Sequence, residues 1–152
     1  LKKEKFDQLI LQLERYCDYR ERCAQDVRAK LQKQGLNKQD VEELIDYLIE
    51  HNSIDEKRYA IQFAHGKNKY NKWGKNKIYA ALIAKRIDAH IIQSALDEMD
   101  DDLYRQTLET LYKRKFDSLS KETSYIRKNK TIKSCMDKGY SYEQILSILE
   151  EK

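Results

Sequence analysis

The pairs Gly35-Leu36, Arg86-Ile87 and Gly139-Tyr140 recur about every 50 residues, and around each pair the apolar residues fall in the same phase. Four positions before the first member of each pair stand Leu31, Leu82 and Cys135. Six positions after it stand Val41, Ile92 and Ile145, and ten after it stand Ile45, Leu96 and Leu149. A fixed period of this length predicts stacked supersecondary units rather than one irregular globule. Proteins built that way act mostly by offering an extended surface to a partner.

The units are helical. The 152 residues contain no proline and only four glycines, too few for sheet corners or long structured loops. Charged residues make up 37% and hydrophobic residues 40%, a mixture that suits amphipathic helices and is too apolar for disorder. Asp18-x-x-Glu21, Ser53-x-x-Glu56 and Ser141-x-x-Gln144 have the form of capping boxes, and Asn37 with Asp40, and Asp88, are further N-cap candidates. Gly35 and Gly139 stand where a helix ends on a left-handed residue. These signals predict helices over 3–16, 19–33, 38–51, 54–69, 74–85, 89–99, 101–116, 121–137 and 142–151. Taken in threes, they predict an all-α fold of three tandem three-helix repeats, 1–52, 53–100 and 101–152, stacked into an elongated, curved molecule. Val41, Leu44, Ile45 and Leu48 are expected to face inward, as are Tyr59, Ala60, Phe63 and Ala64. In the fifth helix the inward set is Ile78, Tyr79, Leu82 and Ile83.

Little in the chain speaks for catalysis or a cofactor. His51, His65 and His90 are isolated, Gly66 and Gly74 form no phosphate loop, and Asp100-Asp101-Asp102 fits a helix N-terminus better than a metal site. No enzyme activity, cofactor or metal is expected. Cys17, Cys23 and Cys135 form no C-x-x-C pair, and Cys23 and Cys135 fall on core positions, so reduced thiols and a cytoplasmic location are expected. No apolar run has the roughly 18 residues of a membrane span. Leu1 is not an initiator methionine, so sequence is expected to precede it.

Charge is distributed unevenly. Net charge is only +4, yet from Lys57 to Ile87 there are nine basic residues and no acidic one, and from Asp97 to Asp102 five of six residues are acidic. An ordinary exposed helix face mixes both signs to gain i,i+4 pairs, so the basic stretch is a candidate binding surface. It contains Arg58, Lys67, Lys69, Lys72, Lys75, Lys77, Lys85 and Arg86, with Tyr70, Trp73 and Tyr79 interleaved. Cations that touch phosphates combine well with rings that stack on bases. A second set is Arg127, Lys128, Lys130 and Lys133, and a third is Arg20, Arg22, Arg28 and Lys30. All three sets fall on the middle helix of a unit or the segment before it, and stacking in like orientation is expected to join them into one track.

At these residues the chain resembles the RecX family, bacterial regulators of the RecA recombinase. Asp55-Glu56-Lys57-Arg58-Tyr59-Ala60 is similar to that family's acidic pair followed by a basic residue, an aromatic and alanine. Trp73-Gly74-Lys75-Asn76-Lys77-Ile78 with Leu82 resembles its glycine, basic-Ile and Leu signature. Arg20-Glu21-Arg22-Cys23-Ala24, Val27, Lys30-Leu31 and Gly35-Leu36 resemble its opening motif. The match is good over 16–100; beyond that it rests on apolar spacing and Gly139-Tyr140. Lys67 and Lys77 stand where arginine is usual, Tyr59 where Phe is usual, and Arg86 where glycine is common, which leaves that helix end less sharply specified. The resemblance implies binding in the groove of the RecA–single-stranded-DNA filament, where such proteins limit filament growth and suppress ATP hydrolysis, strand exchange and co-protease activity; a monomer is expected. It implies that the cations named above, with Trp73, meet that filament or its DNA.

Two further readings compete. A direct module for single- or double-stranded DNA could place a helix in a groove, although cations that are mostly lysine and spread over three units favour backbone contact. A helical-repeat scaffold for another protein is the other.

Overall fold

The computed structural model describes residues 1–150; the last residues of the predicted ninth helix and third unit lie outside that range. The described chain is all helical: α1 Lys3–Tyr19, α2 Ala24–Lys33, α3 Lys38–Glu50, α4 Glu56–Asn71, α5 Lys75–Ala84, α6 Ala89–Asp97, α7 Asp101–Ser118, α8 Ser124–Asp137 and α9 Tyr142–Glu150. Consecutive triplets enclose three cores. Leu13, Val27, Leu31, Leu44, Leu48 and Ile54 anchor the first. Ala60, Ala64, Ile78, Leu82 and Ile92 anchor the second, and Leu108, Cys135, Tyr140 and Ile145 the third. The accessible surface is 9939 Å², against about 8,100 Å² for a compact monomer of 18.2 kDa. That excess is what a row of small bundles produces, each covering its neighbour only at one end.

The repeat phase is visible in the backbone. Gly35, Arg86 and Gly139 all take positive φ, at +79°, +61° and +107°. After two of them the chain closes the same way: the N–H of Ile87 donates to the Leu82 carbonyl and that of Tyr140 to the Cys135 carbonyl, both at 3.2 Å. This is the six-residue closure of a Schellman helix end. Arg86 adopts the left-handed conformation without glycine, so that helix end is as sharply formed as the one at Gly139, contrary to the looser end expected there.

Several expectations about helix ends need correction. Asn37, Asp88 and Ser141 do cap helices: Asn37 accepts from the Asp40 N–H, Asp88 from that of His90, and Ser141 and Gln144 exchange a reciprocal pair. Asp18 and Glu21 do not form a box, because α1 runs on to Tyr19 and α2 starts only after Cys23, whose N–H donates to Asp26. Ser53 is not the cap of α4 either; Asp55 is, accepting from the Arg58 N–H at 2.9 Å. Glu21 and Glu56 reach across to a neighbouring bundle instead. Ile83 is 43% exposed rather than inward, while Ile78 and Leu82 one turn apart carry the buried face of α5.

Candidate partner interface

The basic stretch lies at the α4–α5 corner. α4 is capped by Lys72, with φ +60°, and the N–H of Trp73 closes the turn on the Lys67 carbonyl. Asn68 is buried beneath it and donates through Nδ2 to the Trp73 carbonyl at 2.9 Å and to the Tyr140 hydroxyl at 3.3 Å. The corner is therefore fixed from inside by a side chain that also grips the third bundle.

Aromatic rings, and not carboxylates, lie under the lysines here. Lys67 Nζ and Lys77 Nζ stand 4.9 and 4.7 Å from the Trp73 ring centre, and Trp73 packs edge-on against Phe63. Lys75 Nζ stands 5.0 Å from the Tyr104 ring, and Lys69 Nζ 5.3 Å from that of Tyr70, which is 75% exposed. Lys72 Nζ donates to the Lys69 carbonyl. A ring holds an ammonium by its quadrupole, worth about 0.5–1 kcal/mol at such sites, without cancelling its charge. Five positive charges thus stay open to an anion.

Other predicted cations are engaged inside the molecule. Arg28 forks onto Glu42 at 2.6 and 3.1 Å, which holds the Glu42 carboxyl below its usual range. Arg58 pairs with Glu21 and reaches the Asn52 carbonyl, and Lys85 Nζ lies 2.7 Å from Asp26. Burial alone would raise Asp26, but the hydrogen bonds from Lys85 and the Cys23 N–H outweigh it and keep that carboxyl low. Arg22 is buried, its guanidinium 3.7 Å from the Tyr16 ring centre and its Nε donating to the Tyr16 carbonyl. Arg127 lies over Phe116 in the same manner, and Lys130 pairs with Glu122 at 3.0 Å. Arg20, Arg86 and Lys133 are exposed.

The start of α5 offers no open anion site. The N–H of Gly74 donates to the Lys138 carbonyl at 2.8 Å, that of Lys75 to the Tyr104 hydroxyl at 2.8 Å, and that of Asn76 to the Gly139 carbonyl at 3.0 Å. Tyr104, whose hydroxyl burial pushes up to about 12, remains a neutral acceptor there. Beside this joint a groove of about 500 Å³ runs between α4, α6 and α7, floored by Ile61, Met99 and Tyr104 and rimmed by His65, Lys69 and Asp100. Among the described residues no group of His, Cys, Asp or Glu is arranged to hold a metal ion, and no helix is long and apolar enough to cross a membrane.

Sequence reasoning missed the acids. Glu21, Asp26, Glu42 and Glu122 decide which cations are free, by pairing with Arg58, Lys85, Arg28 and Lys130, while Glu56 accepts from the Ala24 N–H. Of these acids only Glu56 carries a signal in the sequence, as a second acid beside the α4 cap Asp55.

Fold and surface together define a tandem three-helix repeat protein whose middle bundle carries an unneutralised cationic corner. Residues 55–96 match the second three-helix domain of RecX, and residues 102–149 match the third. The chain belongs to the RecX family. It is 32% identical over 127 residues to the regulatory protein RecX of Clostridium botulinum (strain Eklund 17B / Type B), covering 82% of this chain and 59% of that one. It is 30% identical over 130 residues to the regulatory protein RecX of Clostridium acetobutylicum, covering 83% and 60%. The chain therefore spans about three fifths of the length of these relatives. The crystal structure of RecX from Lactobacillus salivarius superimposes with a TM-score of 0.86 at 26% identity, covering 97% of this chain and 96% of that one.

Proposed function

We propose that this chain is a non-catalytic regulator that binds the RecA–single-stranded-DNA filament and holds back its ATP hydrolysis, strand exchange and co-protease activity. The observation that carries this reading is the α4–α5 corner, where Lys67, Lys69, Lys72, Lys75 and Lys77 face rings or a carbonyl rather than acids. It lies within the segment matching the second RecX domain. An uncancelled positive field speeds encounter with a polyanionic filament and fixes its orientation. Titrating the protein into cognate RecA on single-stranded DNA should slow ATP hydrolysis at near-stoichiometric ratios. Unchanged hydrolysis with a folded sample refutes the reading.

Direct binding to DNA is the second reading, and Trp73 with the exposed Tyr70 favours it, because rings beside lysines suit unstacked bases. Contact through four or five of these lysines gives a log–log salt slope of roughly −3 on single strands without RecA. A flat salt dependence excludes it.

A further inference from the structure

The two junctions between bundles are built differently. The second and third bundles meet through backbone at Gly74 and Gly139, through Asn68 and Tyr140, and through Met99, which packs on both cores. α4 also packs along α7. The first and second bundles meet through charge: Arg58 with Glu21, Lys85 with Asp26, and the Ala24 N–H with Glu56 at 3.4 Å. No helix pair makes extended contact across this junction among the described residues. Its apolar ties are Cys23, which leaves the first bundle to sit fully buried in the second core, and Ile54, which precedes the α4 cap and is buried in the first.

This junction also carries a cost. Glu21 Oε2 and Glu56 Oε2 are buried in it with no hydrogen-bond partner. A buried, unpartnered carboxylate oxygen loses its hydration and gains nothing in return, so docking the first bundle is opposed as well as favoured.

We propose that the ion pairs form a latch: the first three-helix bundle swings off the second when they are screened or displaced, while the second and third bundles move as one body. Local opening of this kind comes from elements with few shared apolar contacts. A polyanionic partner that reaches Arg58 and Lys85 competes with Glu21 and Asp26 for the same cations. Engaging that partner and releasing the first bundle are then linked. That linkage rests on the proposed function; the latch itself does not.

Cys23 reports the opening. Burial pushes its thiol up to about 11, and burial does the same to Cys135, which is equally inaccessible in the third core. Both are inert while docked, and only Cys23 is uncovered when the latch opens. The test is iodoacetamide alkylation of the full chain, followed peptide by peptide, in about 0.1 M and about 1 M NaCl, where the screening length falls from roughly 10 Å to 3 Å. Cys23 should react about tenfold faster at high salt while Cys135 changes less than about twofold. The Arg58→Ala/Lys85→Ala variant should show the same rise in Cys23 at low salt. Equal rates for Cys23 under both salts overturn the proposal, and so does a parallel rise of Cys23 and Cys135, which is global unfolding. If the variant fails to fold, the salt series on the unaltered chain decides.

Discussion

Gly74 and Gly139 touch backbone to backbone across the joint between the second and third bundles. A Cβ built on Gly74 would lie 2.5 Å from the Gly139 carbonyl oxygen and 2.6 Å from the Tyr140 nitrogen. Gly74 has an ordinary φ of −83°, so its glycine is required by the neighbour and not by its own conformation. Gly139 needs glycine twice, for φ +107° and for a Cβ that would meet Lys77 at 2.6 Å.

Gly74→Ala therefore destabilises through contact alone, by roughly 2–3 kcal/mol, because backbone on both sides leaves no flexible side chain to yield. Gly35→Ala, at φ +79° with open space around it, costs about 1 kcal/mol from conformation alone. Urea unfolding of the two variants side by side checks the ranking. A Gly74→Ala as mild as Gly35→Ala would show that the joint gives way easily.

Arg86 holds φ +61° at the position its counterparts fill with glycine. Arg86→Gly should raise stability by about 0.5–1 kcal/mol, the relieved left-handed strain less the added freedom of the unfolded chain. For a chain of this size that is a rise of roughly 1–4 °C in melting temperature. No rise, or a fall, would mean that the arginine side chain contributes contacts that outweigh the strain.

Glu56 sits at the latch with its carboxyl raised above the ordinary value, first by burial and then by Asp26 and Asp55, against the Ala24 N–H and Arg28. A carboxyl raised in the folded state binds protons more tightly there. Its charge lowers stability as pH rises from the unfolded value, 4.5, through the folded one. Glu56→Gln should therefore melt higher than the parent at pH 7, and the difference should vanish once pH falls below about 4.5. Asp26 runs the other way. Its lowered carboxyl favours folding at neutral pH, and that contribution fades as pH drops through the unfolded value, 3.8, and then the folded one. Thermal melts across this range separate the two carboxyls.

The paired and unpaired cations should part company in stability measurements. Arg28→Ala leaves the partly buried Glu42 without its fork and should cost about 1–2 kcal/mol. Lys77→Ala removes only a cation over Trp73 and should cost less than about 1 kcal/mol. Equal costs would erase the distinction between internal and available charge on which the site rests.

The repeat was legible because core phase is a local, periodic property: Leu31, Leu82 and Cys135 lie at one register and are all fully buried. Helix starts were less legible. A capping acid and a bridging acid are the same residue type at the same place, and what separates Glu21 or Glu56 from a cap is Arg58 or Ala24, some thirty residues away. The site suffered the same ambiguity. Lys77 and Lys85 look alike in sequence, and only folding sets Asp26 beside Lys85 while Lys77 lies over the Trp73 ring. Ile83 was misplaced because α5 is apolar on most of its surface, so its period says little about which side faces in.

If the lysines of the α4–α5 corner grip the filament, as proposed, removing them must weaken inhibition. The direct test is single-stranded-DNA-dependent ATP hydrolysis by cognate RecA, titrated with the parent chain and with a variant changing Lys69, Lys72, Lys75 and Lys77 to glutamine. The variant should melt within a few degrees of the parent yet need at least about tenfold more protein for the same inhibition, four lost cations being worth more than one decade at moderate salt. A folded variant that inhibits as strongly as the parent would contradict it.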